Sequence, residues 1–266
     1  MNHESDKAIG ILDSGVGGLT VVREFFRHLP SEKIVYFGDT YRFPYGSRPH
    51  DEVRRFSLQI IEFLKTQEIK MIVVACNSST AAGLHHYQQQ LDIPVVGVIE
   101  PGARAAVETT RNGRIGVIGT TGTVASGAYE KSIHALDPSL KVFSMACPLL
   151  VLIVENDLIH TPEAHRVAHE YLHSLKQAGV DTLILGCTHY PLMADVLQDI
   201  MGNEVTLISS AEEIVRGAKE LFAARNLLKP PGESTHRFFV SGDPDKFEET
   251  ASKLLGSNLK SYRVML

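Results

Sequence analysis

The sequence has no tryptophan, only three cysteines and no long apolar run in its 266 residues. Three thiols are too few, and odd in number, for a disulfide scaffold, which indicates a reducing compartment. A membrane span needs about 18 consecutive apolar residues. Because neither such a run nor an apolar leader after Met1 is present, the sequence predicts a cytoplasmic protein with no membrane partner.

Clustered charge of one sign is also absent. The chain carries 26 lysines and arginines against 31 acidic residues, a net charge of −5, with no basic run. Nucleic-acid binding depends on grouped basic side chains that neutralise phosphates. The sequence therefore excludes nucleic acid as the main partner. Its length and 44% hydrophobic content suffice for a sizeable core, in one large domain or two lobes.

Short β-rich runs alternate with amphipathic segments along the chain. The predicted strands are residues 8–13, 33–38, 71–75, 95–99, 114–118, 141–144, 181–186 and 205–208. We interpret them as strands buried on both faces. Apolar residues at helical spacing predict helices over 51–67 and 162–178. This alternation predicts a parallel, doubly wound α/β architecture, with "LLKPPGEST" (227–235) as the one obvious linker.

A weak internal repeat divides the chain into two halves. "IGILDSGVGG", from residue 9, corresponds to "IGVIGTTGT", from residue 115. Sixty-six residues separate Gly10 from Cys76, and seventy-one separate Gly116 from Cys187. We therefore predict two similar parallel-sheet α/β lobes, related by a pseudo-repeat and facing each other across a cleft. The first lobe is expected to comprise residues 1–99 and a returning segment 209–266, and the second residues 100–208.

Two of the cysteines are candidates for catalysis. Ligands of open parallel sheets bind beyond the carboxyl ends of the strands, where Cys76 and Cys187 are predicted to lie. Polar residues follow both, in "CNSST" and "CTHY", and supply hydroxyl, amide and backbone N–H donors for a small anion. A buried cysteine is usually a small hydrophobe, but the paired placement favours catalysis. Cys147, in "SMACPLL", lacks such a cluster and is predicted to be structural.

Cofactor-dependent chemistry lacks its sequence signals. The first strand is followed by glycines at 15, 17 and 18 rather than by G-x-G-x-x-G, which argues against a nicotinamide cofactor. A pyridoxal enzyme needs a lysine that reaches the substrate. Lys33 and Lys141 begin their predicted strands and Lys70 directly precedes its strand, so all three belong to the opposite edge of the sheet from the cysteines. We expect no cofactor.

One stretch matches a metal motif literally. "HEYLH", His169 to His173, has the H-E-x-x-H pattern of zinc peptidases. On a helical wheel these histidines lie roughly opposite the apolar face, and the chain after them lacks the third metzincin histidine. We predict a solvated face and no metal. His85 and His86, after Cys76, are likewise predicted to be surface or packing residues.

Four motifs carry a family resemblance: "ILDSGVGGLTV", "YFGDTYRFPYGSR", "CNSSTA" and "GCTHYP". They resemble, in the same order, the motifs of the glutamate racemases, cofactor-independent members of the aspartate/glutamate racemase family. The resemblance covers residues 8 to about 210. It implies that Cys76 and Cys187 are the catalytic acid and base. The implied assisting residues are Asp13 near Cys76, and Glu155 and His189 near Cys187.

The resemblance also implies a substrate site and a biological role. The implied substrate contacts are Asp13, Ser14, Tyr45, Gly46, Asn77, Ser78, Thr188 and His189. The expected substrate is glutamate, the expected product D-glutamate for peptidoglycan, and the expected assembly a homo-oligomer, namely a dimer. Two positions depart from the family pattern: Ser78 replaces a common threonine and keeps its hydroxyl. Leu152 replaces a common proline, which allows a different chain path before Glu155.

The chemistry explains a pair of thiols. Inverting an α-carbon needs a base on one face and an acid on the other, hence one thiolate and one thiol. A free thiol with a pKa near 8.5 is mostly protonated at neutral pH. We therefore expect a helix N-terminus after each cysteine to favour the thiolate, and Asp13 or His189 to accept the thiol proton. Asn77, Ser78 and Thr188 are expected to stabilise enolate-like charge.

Three alternatives remain open at this stage. A racemase or isomerase of the same family acting on another acid, such as aspartate, would keep both cysteines and differ in its loops. A solute-binding module would use the cleft without turnover. A regulatory or interaction protein would survive the loss of both thiols.

Overall fold

The computed structural model describes residues 4–266, so residues 1–3 of the expected first lobe lie outside the described range. The chain forms two sheets flanked by helices. The strands are β1 (Ala8–Asp13), β2 (Ile34–Gly38), β3 (Ile69–Val74), β4 (Val95–Gly97), β5 (Arg114–Gly119), β6 (Lys141–Ala146), β7 (Thr182–Gly186), β8 (Thr206–Ile208), β9 (Arg237–Val240) and β10 (Ser261–Arg263).

The helices alternate with these strands. They are α1 (Leu19–His28), α2 (His50–Lys65), α3 (Asn77–Gln88), α4 (Ile99–Thr109), α5 (Thr121–Ala125), α6 (Ala128–Leu136), α7 (Pro148–Glu155), α8 (Pro162–Gln177), α9 (Ala194–Met201), α10 (Ser210–Ala224) and α11 (Pro244–Leu255), with a 3₁₀ helix at Tyr190–Met193. The two helices predicted from apolar spacing are α2 and α8, each within two residues of its expected ends. Among the described residues, none of these helices combines the length and apolarity that a membrane crossing requires.

The two sheets repeat one strand order. The larger sheet runs β10-β9-β2-β1-β3-β4 and the smaller β6-β5-β7-β8, and all neighbouring strands are parallel. The order β2-β1-β3-β4 therefore matches β6-β5-β7-β8, with β1 equivalent to β5 and β3 to β7. The predicted α/β architecture with two similar parallel sheets is confirmed.

The larger sheet is covered on both faces because its central strands are apolar throughout. Ile9 and Ile11 of β1 pack with α1, α10 and α11 on one face. Leu12 packs with apolar residues of α2 on the other face. Because successive side chains point to opposite faces, helices cover both faces of the sheet. The carboxyl ends of the strands, with their polar loops, remain open for a site.

Several expectations about the strands were wrong. Strands β6 and β8 are partly exposed rather than buried on both faces, because they are the two edge strands of the smaller sheet. Strands β9 and β10 were not predicted, since both are short and partly exposed; β10 is the edge strand of the larger sheet, and β9 lies between it and β2. Lys70 lies within β3 rather than before it, although still near the amino end.

The expected linker (227–235) has no regular secondary structure but is anchored to the larger sheet's layer. Lys70 Nζ donates to the Leu227 carbonyl at 2.7 Å and pairs with Glu32 at 2.5 Å. The Lys229 N–H donates to Glu32 at 2.9 Å. The chain after this segment returns to the larger sheet, where β9 pairs with β2. The exact lobe boundaries stay a prediction.

Candidate active site

A cavity of about 160 Å³ opens beyond the carboxyl ends of strands from both sheets. A cavity of this size admits a small ligand only. Nine of the predicted site residues line it: Ser14, Tyr45, Gly46, Cys76, Asn77, Ser78, Cys187, Thr188 and His189. Asp13 and Glu155 lie behind this lining and contact members of it.

Cys76 joins β3 to helix α3. It is the N-cap residue of α3, and its Sγ accepts the Ser79 N–H at 3.5 Å. The Ser14 hydroxyl lies 3.8 Å from the same sulfur. The thiol is therefore held at a helix N-terminus, 5% exposed, at the cavity wall.

Asp13 ends strand β1 and is fully buried. Its Oδ2 accepts the Gly15 N–H at 3.0 Å, and its Oδ1 accepts the Thr188 hydroxyl at 3.4 Å. Burial raises the pKa of Asp13 to about 6, although nearby His189 and these hydrogen bonds act in the opposite direction. Asp13 is thus an anion at neutral pH, bonded to both halves of the site.

The surroundings of Cys76 keep its thiol protonated. Burial and the negative charge of Asp13 raise the pKa of Cys76 to about 12. The Ser79 hydrogen bonds lower it, as expected at a helix N-terminus, but by less. The helix N-terminus thus acts in the predicted direction, but burial and Asp13 outweigh it, so the net effect on Cys76 favours the thiol.

Cys187 follows β7 and forms the end of a chain of three residues. Its Sγ lies 3.7 Å from His189 Nδ1, and His189 Nε2 lies 2.6 Å from Glu155 Oε1. Burial alone would lower the pKa of His189, but the bonds to Cys187 and Glu155 outweigh it and raise the pKa to about 10. His189 beside the Cys187 sulfur is therefore protonated at neutral pH, and its expected role as acceptor of the thiol proton stays a prediction.

The segment after Cys187 also differs from the expectation. It forms a four-residue 3₁₀ helix at Tyr190–Met193 instead of an α-helix starting at the cysteine. The imidazolium of His189, rather than a helix N-terminus, is therefore the positive group nearest the Cys187 sulfur. The two thiols have opposite surroundings, one beside a carboxylate and the other beside a cation.

A loop between β2 and α2 forms one wall of the cavity. Tyr45, 2% exposed, donates a hydrogen bond to Asp39. Asp39 also accepts from Arg42 Nε at 2.6 Å and from the Ser241 hydroxyl at 2.6 Å. Burial raises the pKa of Tyr45, so its hydroxyl remains a neutral donor. The loop is thus tied through Asp39 to the end of β9.

Residues from the two sheets meet directly across the cavity. The Ser78 and Thr120 hydroxyls are 3.0 Å apart, and the Gly122 N–H donates to the Gly46 carbonyl at 2.8 Å. A Cβ on Gly46 would lie only 2.5 Å from the Thr120 Cβ. Glycine at 46 therefore permits this close approach.

The comparisons with known proteins decide the family. A model described as Asp/Glu/Hydantoin racemase matches residues 9–218. The chain belongs to this racemase family. It is 50% identical to a glutamate racemase from Geobacter metallireducens over 262 residues, 98% of this chain and 97% of that protein.

Solved structures of other racemases superimpose closely on this family member. A glutamate racemase isoform from Bacillus anthracis gives a TM-score of 0.96 at 46% identity, with 98% of both chains covered. A glutamate racemase from Francisella tularensis in complex with D-glutamate gives 0.91 at 33% identity, again with 98% of both chains covered. The fold is that of an isomerase family.

The cavity is also lined by residues that the sequence reasoning missed. They are Phe43, Pro44, Ser47, Thr120, Pro148, Val151 and Leu152. The internal repeat carried a signal for one of them: aligning Gly116 with Gly10 places Thr120 opposite Ser14. The apolar members gave no such signal, because they line the cavity only through the path of the loop and of α7.

The departures from the racemase pattern keep the site intact. Leu152 continues helix α7 without a break, is 47% exposed and lines the cavity. Glu155, at the end of that helix, still reaches His189. Ser78 keeps its hydroxyl bond to Thr120.

The residues predicted to be outside the site are outside it. Cys147 is fully buried in the core of the smaller sheet's layer. His169 and His173 are exposed on α8, and His85 and His86 are exposed on α3, which confirms these surface predictions. Within residues 4–266, no three His, Cys, Asp or Glu side chains are grouped as a metal site requires.

Proposed function

We propose that this racemase interconverts L- and D-glutamate by proton transfer at Cα between two cysteines. The full-length relatives described above are glutamate racemases, and one of their structures contains D-glutamate. One observation carries the proposal: Cys76 and Cys187 lie just beyond the carboxyl ends of equivalent strands of two equivalent sheets and line one small cavity. Two thiols so placed offer an acid and a base to opposite faces of one carbon.

The proposed step moves one proton off carbon and another onto it. With L-glutamate, the Cys187 sulfur takes the Cα proton as the C–H bond breaks, and its electron pair remains on an enolate-like carbanion. The Cys76 thiol, protonated because its pKa is about 12, then donates its proton to the opposite face of Cα. The product is D-glutamate. In the reverse direction the two cysteines exchange roles.

The difficult part is stabilising negative charge on the substrate. The α-carboxylate gains enolate-like charge as the proton leaves, so donors aimed at it lower the barrier. Asn77, Ser78 and Thr188 line the cavity and supply such donors. The cation of His189, held by Glu155, supports negative charge on the Cys187 sulfur. Both proton transfers run between carbon and sulfur, so the proposal invokes no cofactor.

The cellular role follows from the same proposal. We propose that the enzyme works in the cytoplasm and supplies D-glutamate for peptidoglycan synthesis, and so contributes to cell-wall biogenesis and cell shape. A homodimer is the proposed assembly. Glutamate is the proposed partner, and neither nucleic acid nor a membrane is required.

Loss of optical rotation tests the activity directly. Purified protein, freed of metal and pyridoxal, should erase the rotation of L-glutamate and of D-glutamate, while L-aspartate should turn over far more slowly. Faster turnover of aspartate would assign the enzyme to the other acid. Ligand-dependent stabilisation without turnover of either acid would instead identify a solute-binding module.

Heavy water tests the two-base mechanism. Product should contain solvent deuterium at Cα from the earliest turnovers, while unreacted substrate stays protiated, because the delivering thiol exchanges with solvent before it acts. Substantial return of the substrate proton to the product would indicate a single base and contradict the division of roles.

A further inference from the structure

Tyr129 lies behind the cavity wall and contacts residues of both halves of the site. It lies on α6, beside the smaller sheet, and is 3% exposed. Its hydroxyl donates to Asn77 Oδ1 at 2.7 Å and lies 3.3 Å from the Ser210 hydroxyl. Asn77 directly follows Cys76 and lines the cavity. A side chain of the second half thus bonds to a site residue of the first.

The ring of the same tyrosine contacts the segment that carries the other thiol. A Cβ added to Gly186 would lie 2.9 Å from Tyr129 Cε2. Gly186 is the last residue of β7 and directly precedes Cys187. The absence of a side chain at position 186 therefore lets the tyrosine ring pack against that strand end.

We propose that Tyr129 is a positioning residue, which orients the Asn77 amide and fixes the spacing between the two cysteine segments. This inference rests on the proposed racemase function and deepens it. Tyr129 does not line the cavity, so it acts through Asn77 and through the backbone before Cys187.

The direction of the hydrogen bonds determines which end of the amide faces the cavity. The Ser210 hydroxyl donates to the Tyr129 oxygen, and the Tyr129 hydroxyl donates to Asn77 Oδ1. The Asn77 Nδ2 group is then left to donate toward the cavity. Burial raises the pKa of Tyr129, so it stays a neutral donor across the working range.

The orientation matters because the two ends of an amide have opposite effects on an anion. An N–H₂ group stabilises the substrate carboxylate, and still more the enolate-like charge, whereas a carbonyl oxygen repels both. Without the Tyr129 hydroxyl, the amide is free to rotate and present its oxygen.

The substitution Tyr129→Phe removes only the hydroxyl. The bond that the Asn77 amide donates to a charged substrate group would be weakened, so we expect kcat/KM for both glutamate isomers to fall about 10- to 100-fold, with KM rising. Asn77→Ala should cause a similar loss. In the Asn77→Ala background, Tyr129→Phe should change kcat/KM less than about twofold, because the amide it orients is gone.

Tyr87→Phe is the matched control. Tyr87 is also fully buried, and its hydroxyl donates to one backbone carbonyl, that of Ser79, at 3.1 Å. Loss of the Tyr87 hydroxyl should lower the unfolding midpoint as much as Tyr129→Phe does. It should leave kcat/KM within about twofold of the parent value. In the Tyr87→Phe background, Asn77→Ala should lower kcat/KM by the same factor as in the parent.

The outcomes separate this inference from the proposed function. If the parent racemises glutamate but the Tyr129 and Asn77 effects on kcat/KM multiply independently, the positioning role is overturned. If the parent does not racemise glutamate, the function fails, and the Asn77 side-chain amide resonances then decide the inference. Their displacement in Tyr129→Phe would support the positioning role, and unchanged resonances would refute it.

Discussion

Glu155 Oε1 lies 2.6 Å from His189 Nε2, and the other nitrogen of that ring lies 3.7 Å from the Cys187 sulfur. The carboxylate is therefore separated from the thiol by one imidazole. Such a chain holds the ring in one orientation and keeps it charged.

Removing the Glu155 charge should weaken this chain. We expect Glu155→Gln to lower the pKa of His189 from about 10 and to lower kcat about tenfold or more, as the loss of a charged hydrogen bond worth about 1.5–3 kcal/mol implies. Titration of the ring by NMR and steady-state kinetics would measure both effects. Glu204→Gln, at an exposed site, is the control. An unchanged His189 titration would contradict the assignment of Glu155.

Each cysteine should be required for racemisation but not for β-elimination from one of the two isomers. Cys76→Ser and Cys187→Ser should both stop racemisation, because a hydroxyl has far too high a pKa to act as base at neutral pH. With a β-leaving group on the substrate, Cys187→Ser should still eliminate it from the D isomer and Cys76→Ser from the L isomer.

The buried Cys147 provides the matched control for these variants. Cys147→Ala should keep racemisation near the parent rate, since this thiol lies in the core rather than in the cavity. Equal loss of elimination from both isomers in either serine variant would contradict the proposed division of roles.

Asp13 should determine how kcat/KM falls at acidic pH, the acidic limb of its pH profile. It is an anion above its pKa of about 6 and neutral below it. If its charge is needed beside Cys76, kcat/KM should rise with pH up to about 6 and then level off.

Asp13→Asn should remove this limb and lower kcat about 100-fold or more, as the loss of an assisting acid–base group implies. The exposed Asp92→Asn should leave the profile unchanged. A limb that persists near pH 6 in Asp13→Asn would assign the titration to another group.

The exposed histidines of α8 should be irrelevant to turnover. We expect the double variant His169→Ala, His173→Ala to keep kcat/KM near the parent value, and a chelator to leave activity unchanged. A hundredfold fall in either assay, about 2.7 kcal/mol of transition-state stabilisation, would show that this surface takes part in the reaction.

The buried pair Lys70–Glu32 should affect stability rather than catalysis. Both side chains are at most 2% exposed, and Lys70 also donates to the Ser5 carbonyl at 2.8 Å. Glu32→Gln should cost about 3–5 kcal/mol in urea unfolding, because it leaves the lysine charge uncompensated. The double variant Glu32→Leu, Lys70→Met should recover most of that loss. Reduced kcat in folded Glu32→Gln would instead couple this pair to the site.

The central strands and both thiols were predictable from the sequence alone. Continuous apolar runs define β1, β3, β5 and β7, and their polar continuations identify Cys76 and Cys187. The last two strands were harder to predict, because β9 and β10 are short, partly exposed and without a long apolar run.

The protonation states of the site were not predictable. Local sequence indicates a helix N-terminus after Cys76, but the raised pKa of that thiol comes from burial and from Asp13, sixty-three residues away in the chain. The positive charge on His189 likewise depends on Glu155 at the end of another helix. Such effects arise only when distant segments have folded together.

A thermodynamic constraint limits how the different surroundings of the two thiols can affect kcat and KM. Enantiomers have equal free energy in water, so a glutamate racemase has an equilibrium constant of one. The Haldane relation then demands equal kcat/KM for the two isomers, although Cys76 lies beside a carboxylate and Cys187 beside an imidazolium. This asymmetry can appear only as paired changes in kcat and KM, so the isomer with the higher kcat must have the higher KM by the same factor.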